Sequence, residues 1–178
     1  LKIMQQKFKQ SDYDINDVLR KETFFRNNEI HMIKLYNENS YIEIQETYPT
    51  NQEEEGKRIR YYPNGQVKES YIHINHIKEG RNVSYYENGT LESDLNYSNG
   101  MISGTCSWYF PTGNLMRIKE YNTSSNYQID FHENGERKSE GSFEGMDLIG
   151  RWIFYDINGE IILEKIYPNP SHGVLTIK

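Results

Sequence analysis

Apolar and polar residues alternate along most of this chain, and glycine breaks the alternation at regular intervals. Ile59 and Tyr61, Val83 and Tyr85, Ser107 and Tyr109, Ile129 and Phe131, and Ile153 and Tyr155 each stand two residues apart. That spacing places both members on one face of a β-strand. Beyond each pair comes a turn glycine, and Gly65, Gly89, Gly113, Gly135 and Gly159 recur at steps of 24, 24, 22 and 24 residues. Asn64, Asn88, Asn134 and Asn158 precede four of them, and Thr112 precedes the other. Asn-Gly favours a tight two-residue type I′ turn. After it the apolar pattern resumes at Val67, Leu91, Leu115 and Ile161, and again at Tyr97, Tyr121, Phe143 and Tyr167. Each period therefore predicts one β-hairpin. The fourth departs most, with Arg137 in place of the aliphatic residue and a shorter preceding loop.

A second series, Gly56, Gly80, Gly104, Asn126 and Gly150, lies nine residues before the turn glycines. Asparagine tolerates a left-handed backbone better than most residues, so Asn126 is expected to take the positive φ of the glycines it replaces.

The expected fold is all-β, a short N-terminal cap followed by an elongated single-layer antiparallel sheet of tandem hairpins. At about 4.8 Å per strand the array would be on the order of 50 Å long. Five repeats fill residues 56–167. Residues 29–55 hold a degenerate first copy at Ile33, Leu35, Tyr36, Asn39 and Tyr41, with Asn39 in place of the turn glycine, and end in a solvated acidic loop, Glu53 to Glu55. Residues 1–28 do not follow the period. They are read as a cap in which Ser11 or Asp14 starts a short helix through Ile15, Val18 and Leu19. Residues 168–178 would be turned by Pro168, Pro170 and Gly173 into a capping strand, Val174 to Ile177.

At Tyr61-Tyr62-Pro63-Asn64-Gly65, Tyr85-Tyr86-Glu87-Asn88-Gly89, Phe131-His132-Glu133-Asn134-Gly135 and Tyr155-Asp156-Ile157-Asn158-Gly159 the chain resembles the MORN repeat family, and most of all its bacterial variant. Proteins of that variant are commonly labelled YwqK-family antitoxins. The resemblance implies an interaction scaffold, with an antitoxin or immunity role exercised by binding a cognate toxin; it implies no catalytic residue. A second resemblance lies at Tyr167-Pro168-Asn169-Pro170-Ser171-His172-Gly173-Val174-Leu175-Thr176-Ile177, which is similar to the opening of a type A C-terminal sorting domain of the Bacteroidetes type nine secretion system. That implies export to the cell envelope or beyond; without it, a cytoplasmic location is the expectation. The chain begins with Leu, which leaves room for an N-terminal segment removed earlier.

Composition narrows the function. Aromatics reach 13%, with 15 Tyr, which is too many for a disordered chain. Asp and Glu total 26 against 20 Lys and Arg, a net charge of −6 without basic blocks, so neither nucleic acid nor an anionic membrane is an expected partner. No run approaches the roughly 20 apolar residues of a membrane helix, so membrane insertion is not expected. The one cysteine, Cys106, cannot form an internal disulfide and is read as a half-buried strand residue.

Chemistry is sparse. No His-Glu-x-x-His, phosphate-loop, Gly-x-Ser-x-Gly or dinucleotide motif is present, so neither an enzyme nor a cofactor is expected. His73 and His76 are the one close pair among His31, His73, His76, His132 and His172, and on a strand a spacing of three turns them to opposite faces. No metal site is expected. A second aromatic stripe, Tyr62, Tyr86, Trp108, Phe110, Trp152 and Phe154, falls on the face opposite Tyr61, Tyr85 and Tyr109. Those six rings either pack across strands or present a surface to a protein partner. Two functions remain: an antitoxin or immunity protein, or a secreted or envelope-associated structural or adhesion protein.

Overall fold

A computed structural model describes residues 7–49, 55–122 and 125–168. Among them there are fifteen strands and no helix, arranged as one open antiparallel sheet. The strands form seven hairpins in chain order. They are β1 Lys7–Tyr13 with β2 Leu19–Arg26, β3 Glu29–Tyr36 with β4 Ile42–Thr47, and β5 Gly56–Tyr61 with β6 Val67–Ile74. Then come β7 Ile77–Tyr85 with β8 Leu91–Ser98, and β10 Gly104–Tyr109 with β11 Leu115–Tyr121, the short β9 Met101–Ile102 lying between them. The last are β12 Asn126–Phe131 with β13 Arg137–Glu144 and β14 Asp147–Tyr155 with β15 Ile161–Tyr167. The chain divides into two compact units, Leu1–Thr90 with Tyr97–Met101 and Leu91–Asn96 with Ile102–Lys178.

The turn within each hairpin is wider than the two-residue type I′ turn that Asn-Gly suggests. The Tyr62 carbonyl accepts Gly65 N–H at 2.9 Å, and Tyr62 N–H donates to the Gln66 carbonyl at 2.8 Å. The glycines take φ of 84° to 94°, while the asparagines before them are not among the positive-φ residues. This is a type I turn closed by a left-handed glycine, and the register shifts there, between Arg60 and Tyr61. Asn64 accounts for its place differently: its side-chain oxygen accepts Gln66 N–H at 2.9 Å, and its amide donates to the Glu87 carbonyl of the next turn at 3.3 Å. Genuine two-residue turns lie between hairpins instead. Asn27-Asn28, Asn75-His76 and Asn99-Gly100 have both residues at positive φ.

Those bonds correct the reading of the N-terminus. Asp17 N–H donates to the Asp14 carbonyl at 3.1 Å and Asp14 N–H to the Val18 carbonyl at 3.0 Å, the pattern of the later turns, with Asp17 at φ 59° in the glycine position. Residues 7–26 are therefore a full repeat rather than a helical cap. Asp14 does cap, but it caps a turn, its Oδ1 accepting Asn16 and Val18 N–H. In the second hairpin Ser40, at φ 61°, holds the glycine position rather than Asn39.

Asn126 is a further correction. It is extended, paired with Phe143 at the start of β12, and not among the positive-φ residues. Gly80 and Gly150, at φ 66° and 65°, sit in bulges where the register skips between Tyr71 and Ile72 and between Gly141 and Ser142. Both bulges follow a two-residue connection. A longer connection precedes Asn126, and Gly56 likewise, so the strand enters straight and needs no left-handed residue.

Among the described residues the buried hydrophobic side chains are Cys106, Phe143 and Trp152, all in the second unit. Cys106 is wholly enclosed, not half-buried, and its Sγ lies 3.4 Å from Asn96 N–H. On the face of Tyr61, hydroxyls end on carboxylates: Tyr36 donates to Glu22 and Tyr155 to Glu140, each at 2.5 Å. Burial and the Glu22 bond push the Tyr36 phenol up to about 12. Residues 50–54 of the acidic loop and the tail strand Val174 to Ile177 lie outside the described residues.

Candidate functional site

The six stripe residues do not share one environment. Trp152 is 2% exposed, and its indole N–H donates to the Ser142 carbonyl at 2.8 Å. It lies across from Gly141, where an added Cβ would meet the indole at 2.5 Å. Trp152 is thus core and not a contact surface, which corrects its place in the stripe. Phe154 packs beside it, ring centroids 6.1 Å apart, and stays half-buried. Trp108 pairs with Arg117 and Ser93 in β10, Phe110 opens the following turn, and both are half-buried. In the first unit Tyr62 and Tyr86 are half-buried at the first position of their turns. The Tyr62 hydroxyl donates to the Tyr85 carbonyl at 2.8 Å, so this ring also links consecutive turns.

The first unit holds a second arrangement that the alternation rule missed. His73 and His76 were expected on opposite faces, but residues 75 and 76 are a turn and not a strand. With φ of 50° and 64° they reverse the chain and swing His76 back over β6. The two imidazoles stack, centroids 5.8 Å apart and 10° between planes. Glu46, from β4, completes a group whose donor atoms all lie within 4.8 Å of one another.

His73 is 3% exposed, and its ring occupies the space left by Gly56, its cross-strand partner, where any Cβ would overlap the imidazole. Tyr48 meets both histidines edge-on, and Tyr71 meets His73. His73 Nε2 has no hydrogen-bond partner and lies 3.5 Å from Glu46 Oε1, while Arg58 Nη1 stands 3.8 Å from the other carboxylate oxygen. Burial pushes the His73 pKa below its usual 6.5; Glu46 opposes this, and the charges of His76 and Arg58 add to it. Burial also raises the Tyr48 phenol, together with the charge of Glu46 and a hydrogen bond to it. The available signal was the His-Ile-Asn-His segment spanning an asparagine-led turn; nothing local to it pointed to Glu46 or Gly56.

On the face of Tyr61, Ile59, Val67, Val83 and Tyr85 line an open groove of 540 Å³ in the same unit.

Comparison with known families is consistent with this architecture. Residues 54–75, 78–99 and 102–123 match the family described as MORN repeat variant, three tandem copies in phase with the hairpins. The hairpins outside the matched segments repeat the same turn bonds. No curated protein matches the chain. Repeats of this kind mark a module of the sort often involved in binding.

Proposed function

We propose that this chain is a non-catalytic protein-binding module whose partner is a cognate toxin, neutralised by being held. What carries the reading is that Tyr62 and Tyr86 in one unit, and Trp108 and Phe110 in the other, keep part of their surface in solvent at the same one or two positions of each hairpin. Tyr and Trp dominate binding hot spots, and rings fixed on hydrogen-bonded strands lose little entropy on binding. The net charge of −6 suits a basic partner.

Co-expression with the product of the neighbouring gene tests this: growth should be rescued, and the two proteins should purify together. Trp108→Ala and Phe110→Ala should each weaken the complex by about 2 kcal/mol or more with the melting temperature unchanged, and Tyr62→Ala by less. A harmless neighbour that forms no complex, or substitutions that leave binding intact, would overturn the proposal.

A second reading, a secreted or envelope-associated structural or adhesion protein, is favoured by the sequence from Tyr167 to Ile177. Of that segment, residues 169–177 lie outside the described residues. Deleting residues 168–178 separates the readings. Lost export with unchanged melting favours the second, whereas export unchanged with lower melting favours a capping strand.

A further inference from the structure

We propose that Glu46, His73 and His76 bind one divalent transition-metal ion, and that zinc is the cation their chemistry fits. The proposal is independent of the toxin reading. Two imidazoles and a carboxylate are a nitrogen and oxygen set that zinc accepts, at bond lengths of about 2.0–2.2 Å. Tetrahedral bonds of that length place donor atoms about 3.3 Å apart. His73 Nε2 and Glu46 Oε1 already stand 3.5 Å apart, and His76 closes the triangle within 4.8 Å. Rotation of the exposed His76 side chain alone shortens its two sides.

The strongest argument is the enclosed nitrogen. A buried polar atom left without a partner costs about 1–3 kcal/mol, and His73 Nε2 has none. A metal ion would satisfy it. The ring is fixed there by three independent features, the missing Cβ of Gly56 and the edges of Tyr48 and Tyr71. His76 holds the second left-handed position of its turn, which the matching turns fill with Asn28 and Gly100.

Arg58 is the opposing charge. It lies on Glu46 Oε2 and leaves Oε1 toward the histidines, so it weakens the site without blocking it. The exposure of His76 leaves the fourth position open to water or to a donor from another molecule.

The test uses the full chain without an affinity tag, stripped with chelator and titrated with zinc chloride against a chromogenic competitor. Cobalt(II) substitution supplies an independent readout through its tetrahedral visible bands. One zinc per chain is expected. His76→Gln and Glu46→Gln should each weaken it by at least about tenfold, with the cobalt bands lost. His132→Gln should bind as the unaltered chain does. Because His76 is exposed, its substitution leaves the buried packing in place. No stoichiometric zinc, or zinc affinity unchanged in His76→Gln, would overturn the proposal, as would equal weakening by His132→Gln.

Discussion

The two compact units build the same row of backbone positions from opposite chemistry. In the first, His73 lies across from Gly56 and Tyr71 across from Asn82; in the second, Phe143 lies across from Asn126 and Gly141 across from Trp152. His73 and Phe143 occupy the same place in their repeats, and each meets a tyrosine edge-on, Tyr48 at 6.4 Å and Tyr121 at 5.4 Å. The first row is filled by an imidazole with an unpartnered nitrogen beside an arginine and a carboxylate. The second is filled by rings, with Lys119 Nζ 4.2 Å above Phe143. Frame and filling are thus separable. Turn bonds and left-handed residues hold the frame, and the slot accepts whatever fits its volume. Glycine stands opposite one buried ring in each unit, Gly56 against His73 and Gly141 against Trp152, where a Cβ would overlap the ring; Phe143 lies across from Asn126 and needs no such gap.

The largest effect should come from crowding the apolar slot. Gly141→Val drives two methyl groups into the indole of Trp152 and should destabilise the second unit by about 3 kcal/mol, read by urea unfolding. Adding Trp152→Ala should recover part of that loss, since the two changes share one cavity. Strict additivity would show that the slot is not what holds the strands together.

A smaller effect tests the polar slot. His73→Phe gives the first unit the residue of the second and removes the unpartnered nitrogen, so in metal-free buffer at pH 7.5 it should stabilise by about 1 kcal/mol. It should also flatten the pH profile. The folded-state pKa of His73 lies below its usual 6.5, so as pH falls the unfolded chain takes up the proton first. The stability tied to neutral His73 is complete above pH 6.5 and is lost as pH falls from there toward the folded-state pKa. Melting temperatures from pH 7.5 to 5.5 should therefore drop more in the unaltered chain than in His73→Phe. Parallel curves would contradict the equivalence of the two slots.

Most of the frame was legible because its signals are local. Alternation placed the strands, and a glycine every 22 to 24 residues placed the turns. What escaped was whatever the frame does with an ordinary residue. Asp17 and Ser40 adopt a glycine conformation with an L side chain, so the first hairpin hid from a search for glycine and the second showed only as a degenerate copy, its turn position placed one residue early at Asn39. Asn126 misled in the other direction, since bulges follow the length of the connection and not the residue. The stripe was half legible: the period put Trp108, Phe110 and Trp152 on one face, but enclosure of Trp152 depends on Gly141 from the neighbouring strand. The histidine pair was lost because parity along a strand fails across a two-residue turn.

The claim that the same turn frame recurs in the hairpins without a turn glycine meets its most direct test at Ser40. A serine at φ 61° carries a left-handed strain that glycine relieves, so Ser40→Gly should raise thermal stability by roughly 0.5–1 kcal/mol, read by calorimetry on the full chain. If Ser40→Gly instead lowers stability, as glycine does in an ordinary extended segment, residue 40 does not hold the glycine position and the frame does not reach the second hairpin.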